Sequence, residues 1–258
     1  MSKTPAPELF MPFDDTDHDE YASVEPVVPL AAFLLGLLAI LVGALAAIFL
    51  LPEFLPGVTL SLLGPKPQAC WLLARSSGIV AYLLLFMSVA LGLLITNKMA
   101  RVWPGGPTAV DLHQFTSLLG FAFAFFHALV LLGDRYISFT FLQILVPFAS
   151  VNYRPFWVGL GQIAFYLAIP VLFSFYVRKQ LGFKLWRGLH YGAFVVYSLL
   201  TIHALLAGTD TTAPILLGIY VVTGALVCFL TLVRILSQVS GRKSHVPGHR
   251  SKAEVSEH

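Results

Sequence analysis

The sequence predicts an all-α integral membrane protein, a six-transmembrane-helix bundle with both termini in the cytoplasm. Three observations carry this. Of 258 residues, 57% are hydrophobic and only 11% charged, with a mean hydropathy of +0.81; a soluble domain has about 25% charged residues. So little polar surface cannot cover a water-soluble globule, and a chain this apolar is neither disordered nor, lacking a Gly-X-Y period, collagen-like. Six nearly uncharged stretches, 27–51, 71–97, 109–133, 155–177, 187–209 and 213–235, are each long enough to cross about 30 Å of hydrocarbon. Finally, Lys and Arg divide twelve to four between the two sets of loops, and the richer side holds both ends of the chain. That side is the cytoplasmic one.

Each stretch reads as a helix because backbone groups in lipid must be bonded within their own segment. The alternating segments of about ten residues that mark an outer-membrane barrel are absent. The first stretch is too long for a signal peptide and follows an acidic tail with Asp14, Asp15, Asp17, Asp19 and Glu20. Residues 1–26 and the basic residues 237–258 are expected to be disordered tails around a transmembrane domain at 27–236. Pro104-Gly105-Gly106-Pro107 breaks the chain before the third helix. Thr211 or Thr212 is placed to cap the sixth, with Pro214 in its first turn. Pro170 is expected to kink the fourth. Residues 134–154 form a long outer loop with an apolar centre, Leu142 to Phe148, readable as a lid or as an ordinary surface loop. Cys70 and Cys228 are not expected to pair. A net charge of +3, carried in loops between apolar segments, gives no reason to invoke nucleic acid.

The chemistry is concentrated in four histidines. His113 and His127 lie on the third helix, His190 and His203 on the fifth. An ionisable side chain inside a membrane is costly and functional by default, although a lone one can simply bond a neighbouring helix. Both helices run outward from the cytoplasmic face. His113 and His190 lie near their starts, His127 and His203 near their outer ends. The separations of 14 and 13 residues correspond to about 21 and 20 Å of rise. If the helices are neighbours, one histidine from each meets at two levels, and facing neutral imidazoles suit the two axial positions of a haem iron. Two levels mean two haems and an electron path across the bilayer. One feature opposes this. A 13-residue step misses the same helix face by about 140°, so His190 and His203 share a seam only through irregularity, tilt or crossing, which Gly188 and Gly192 would permit.

Other residues are candidates to serve such a site. Gly120 and Ser198 lie midway along the two histidine helices, where a flat ring needs small neighbours, although small residues also serve plain helix packing. Arg75, beside Ser76 and Ser77 at the outer edge, is the best partner for an outer propionate, ahead of Arg135 and Arg154. Arg101, Lys184 and Arg187 are inner candidates. Trp71, Trp103, Trp157 and Trp186 all sit at helix ends and read as an aromatic belt rather than a site.

With these residues in view, the chain resembles the ferric reductase-like transmembrane superfamily, which includes ferric reductases, NADPH oxidases and the haem subunit of methionine-sulfoxide reductase systems. The resemblance covers roughly 69–210. It rests on Trp71 and the run from Arg75 to Gly78, on Leu112-His113 with His127, and on Trp186-Arg187-Gly188-Leu189-His190-Tyr191 with His203 and the run from Ala207 to Asp210. It implies a six-helix cytochrome b-like bundle with two haem b groups. His113 and His190 would ligate the inner iron, His127 and His203 the outer. It further implies electron transport from the cytoplasm to an extracytoplasmic acceptor across the plasma (inner) membrane, as an oxidoreductase component in contact with lipid.

The family's flavin and nicotinamide domain is not seen. Residues 237–258 contain no G-x-G-x-x-G unit. The expected donor is therefore a separate flavin reductase, a quinol or another redox subunit. Two other functions compete with the conduit. One is a histidine-lined metal or proton transporter, which should also carry intramembrane carboxylates, yet Asp111 is the sole candidate and lies at a helix entrance. The other is a non-catalytic membrane subunit with structural histidines.

Overall fold

The computed structural model describes residues 24–63 and 69–243. Most of the two predicted tails, 1–23 and 244–258, lies outside the described residues. Six helices are long and apolar enough to cross a membrane: Leu30–Phe54, Ala69–Thr96, Gly106–Gly133, Pro155–Phe173, Phe183–Ala207 and Pro214–Ser237. No strand occurs among the described residues.

In chain order, α1 starts as Leu30–Leu45 and continues through a wide π-helical turn, Ala46–Leu50, to Phe54. A short helix that the sequence reading left unassigned, α2, follows at Pro56–Leu63. The long helices α3 (Ala69–Thr96) and α4 (Gly106–Val130) come next. The loop between the third and fourth spans contains α5 (Phe141–Leu145). Then come α6 (Pro155–Phe173), the single turn α7 (Arg178–Leu181), α8 (Phe183–Ala207) and α9 (Pro214–Lys243).

Local chemistry sets the boundaries. Gly105 (φ 106°) and Gly182 (φ 76°) supply the left-handed backbone that admits α4 and α8. Pro107, Pro155 and Pro214 stand in the first turns of their helices, where the missing N–H is no loss. α6 continues through Pro170 and ends at Phe173, short of the apolar run to 177. Thr211 directs its hydroxyl to the Gly208 carbonyl at 3.0 Å.

Three seams hold the bundle. Tyr82, Ala90 and Leu93 of α3 pack with Tyr197 of α8 and with Tyr220, Val227 and Leu230 of α9. Phe33 of α1 packs with Leu118 and Phe121 of α4, beside Phe165 and Phe173 of α6. Cys70 and Ala74 at the start of α3 pack with Val130 at the end of α4. Within the first seam the buried Tyr82 hydroxyl bonds Thr223 Oγ1 at 2.7 Å and Tyr197 OH at 3.2 Å. Interhelical polar contacts of this kind join helices where burial in lipid supplies no net drive. The outward faces are rows of exposed Leu, Val, Ile and Phe, such as Leu35, Val42, Val222 and Phe229, as contact with lipid tails requires.

α4 packs chiefly on α3, and α8 chiefly on α6. The two histidine helices thus face one another across open space rather than through a tight seam. Cys70 and Cys228 are both free.

Candidate functional site

Two cavities lie at two levels between these helices, each containing one pair of histidines. The tail-side cavity, at the end where residue 24 and the last turns of α9 lie, has a volume of about 470 Å³ and is lined by His113 and His190. The loop-side cavity has a volume of about 280 Å³ and is lined by His127 and His203. The wall between them is apolar: Leu85, Phe121, Ala168, Val196 and Leu200 face both.

His113 stands beside His190, and His127 beside His203. Ring centroids are 5.8 Å apart for His113 and His190, with planes at 73°, and 6.3 Å apart for His127 and His203, with planes at 75°. Three of the four rings are held by a backbone carbonyl of an adjacent helix. His113 Nδ1 lies 2.8 Å from Ser88 O, His127 Nδ1 2.7 Å from Ala74 O, and His203 Nδ1 2.8 Å from Trp157 O. A carbonyl only accepts, so each Nδ1 carries the proton and each Nε2 keeps its lone pair. His190 makes no such bond among the described residues; its ring stacks on Trp186, one turn earlier, at 5.5 Å and 26°.

These features fit a bis-histidine metal group. Metal–imidazole bonds are about 2 Å long, so two rings in line across one metal stand with centroids about 6 Å apart. The donor set is neutral, nitrogenous and aimed inward, and flat aromatic walls surround it. Among the described residues no group of three or more His, Cys, Asp or Glu converges.

Around the loop-side pair, Arg75 lines the cavity as expected, but it is already ion-paired with Asp210. Arg154 instead donates to Leu206 O (2.6 Å) and Gly208 O (3.4 Å), tying down the C-terminal end of α8. Tyr153 OH donates to Ala207 O beside it. Burial pushes the Tyr153 phenol above its ordinary pKa, with Arg154 and Arg75 pulling the other way, so it stays a neutral donor. The outer loop is folded onto α6. Gln162 Nε2 donates to Gln143 O (2.9 Å) and Ile144 O (2.7 Å), Tyr166 OH donates to Leu145 O, and Phe148 seats against Gly159. Gln143, Ile144 and Leu145 line the cavity.

On the tail side, Arg187 lines the cavity, whereas Arg101 and Lys184 are not among its lining residues; Arg234 is, donating to Thr96 O at 3.0 Å. The segment from Val24 to Val28 is strapped beneath this cavity. Gln114 holds Val27 N and Glu25 O, Tyr176 OH holds Val28 O, and Arg178 holds Val24 O.

Other expectations are corrected. Gly120 lines neither cavity: a Cβ there would meet Leu85 Cγ at 2.9 Å, so this glycine lets α4 close on α3. Ser198 is exposed and bonds Phe194 O. Trp186 and Trp71, read as belt residues, belong to the sites. Trp186 stacks on His190, and Trp71 lines the loop-side cavity edge-on to Tyr153 at 5.0 Å. Their positions at helix ends hid this, because the cavities themselves reach the helix ends.

Fold and site together define a multi-pass α-helical membrane protein with two stacked pairs of intramembrane histidines. Residues 77–201 match the family described as the ferric reductase-like transmembrane component. The match takes in His113, His127 and His190 and stops just short of His203. No curated protein and no solved structure was found to match. A domain of this family points to transmembrane electron transfer in general.

Proposed function

We propose that the chain carries electrons across the membrane through two b-type haems, one in each cavity, held by His113 with His190 and by His127 with His203. The observation that carries this reading is the pair of facing imidazoles at two levels, with three of the four rings fixed so that Nε2 remains available. When bound, each haem supplies a one-electron couple that the protein's own side chains lack. The chain's part is to orient the rings, exclude water and set the local charge. Histidines on both faces leave no coordination position for a substrate, so exchange with an acceptor is outer-sphere.

The distribution of Lys and Arg supports a cytoplasmic tail side, and we take the membrane to be the plasma membrane. Electrons then enter from a separate flavoprotein, a quinol or another redox subunit and leave beneath the outer loop. Arg75 on the loop side, and Arg187 and Arg234 on the tail side, are placed at the cavity edges to meet propionates.

The test is vectorial transfer in vesicles. Purified protein is reconstituted with ferricyanide trapped inside and a membrane-impermeant reductant outside. Bleaching of the trapped ferricyanide above the rate of empty vesicles, lost in His127→Ala, is expected. Bleaching no faster than in empty vesicles would overturn the proposal.

A further inference from the structure

One backbone arrangement recurs at three of the four histidines. His127 Nδ1 bonds Ala74 O, and four residues after Ala74 stands Gly78, where an added Cβ would lie 3.0 Å from that same nitrogen. His113 Nδ1 bonds Ser88 O, and four residues after Ser88 stands Gly92, where a Cβ would lie 3.3 Å from His113 Cε1. His203 Nδ1 bonds Trp157 O, and four residues after Trp157 stands Gly161, where a Cβ would lie 2.5 Å from the nitrogen. Two of these glycines are on α3 and one is on α6.

The recurrence has a geometric reason. In an α-helix the carbonyl of residue i points at residue i+4, whose Cβ leans back toward the N-terminus. A ring that reaches in sideways to share that carbonyl must occupy the volume of this Cβ, which is open only when residue i+4 is glycine. The coincidence is not a general property of helical glycines here, because Gly36, Gly43, Gly188, Gly218 and Gly224 have nothing within 4 Å of an added Cβ.

We infer that Gly78, Gly92 and Gly161 are positioning residues that fix the tautomer and ring orientation of His127, His113 and His203. The inference rests on the proposed bis-histidine haem ligation. A glycine admits each Nδ1–H to a carbonyl, and that bond both aims Nε2 into the cavity and raises its basicity as a ligand. The two centres are therefore built differently. Both loop-side histidines have the arrangement, whereas on the tail side only His113 has it and His190 is steadied by the face of Trp186.

The test is a graded alanine series in the purified protein, read by haem count, potentiometric titration of each haem and low-temperature electron paramagnetic resonance. Gly161→Ala, with the closest clash, is expected to lose the loop-side haem. Gly78→Ala is expected to lower its occupancy. Gly92→Ala, with room for the ring to shift slightly, is expected to keep both haems while raising the tail-side potential and altering its resonance, because a lengthened hydrogen bond from His113 Nδ1–H to Ser88 O makes Nε2 a weaker donor to the iron. Gly188→Ala, on α8 beside His190 but in open space, is the control and should match the unmodified protein. Wild-type haem count, potentials and resonance in all three variants would overturn the inference. Should Gly161→Ala fail to accumulate, Gly92→Ala decides alone, and an unshifted tail-side potential there refutes the scheme. An unmodified protein that binds no haem refutes the underlying haem reading instead, a result distinguishable from failure of the glycine scheme.

Discussion

Arg75, near the start of α3, is ion-paired with Asp210 in the turn after α8, at the edge of the loop-side cavity. The pair links two helices that flank the same histidines and places opposite charges beside one proposed haem. Adding an electron is favoured by nearby positive charge and opposed by negative charge. Arg75→Gln should therefore lower the loop-side potential and Asp210→Asn should raise it, each on the order of tens of millivolts, equivalent to roughly 1 kcal/mol of charge interaction. Redox titration checks the signs. Shifts of the same sign, or an equal shift at the tail-side haem, would contradict the placement.

Removing one member of a histidine pair should empty one cavity and spare the other, because the apolar wall of Leu85, Phe121, Ala168, Val196 and Leu200 separates them. His127→Ala or His203→Ala is expected to halve the haem count and stop electron exit, and His113→Ala or His190→Ala to empty the tail side. Equal retention of both haems in His127→Ala would refute the pairing.

The outer loop is held by side chains of α6, and Gln162 supplies two of the bonds. A net hydrogen bond contributes about 1 kcal/mol. Gln162→Leu should accordingly speed amide hydrogen exchange across 141–148 several-fold while leaving haem content intact. Unchanged protection would show that the loop is held by Phe148 and Tyr166 alone.

The Tyr82 hydroxyl is fully buried and bonded to both Thr223 and Tyr197. Tyr82→Phe leaves their hydroxyls short of a partner and should lower stability by about 1–2 kcal/mol. Unfolding in mixed detergent measures this, with haem stoichiometry unchanged. No loss of stability would mean that Thr223 and Tyr197 find other partners.

What could be read from sequence is what stands out against an apolar background. Six long hydrophobic runs gave the helices, and four histidines within them marked the cavities. Despite the angular objection, His190 and His203 each stand beside a histidine of α4, a fact about partners that no single helix reveals. The same limit hid Asp210, Trp186 and the glycines that face histidines, whose roles depend on groups brought near from other helices. Of the two readings of Gly120, helix packing holds: its small size serves Leu85 of α3 rather than a ring. The end of α6 came early because a tail-side turn containing Arg178 follows it, its guanidinium held to Val24 and Phe175.

The central claim is tested most directly by a reduced-minus-oxidised visible spectrum of the purified protein, expressed with ample haem, together with a pyridine haem assay. The account predicts a low-spin b-type spectrum, two haems per chain, and strongly anisotropic ferric resonances, as expected when the planes of paired imidazoles lie at 73° and 75°. A protein without haem under these conditions would contradict it.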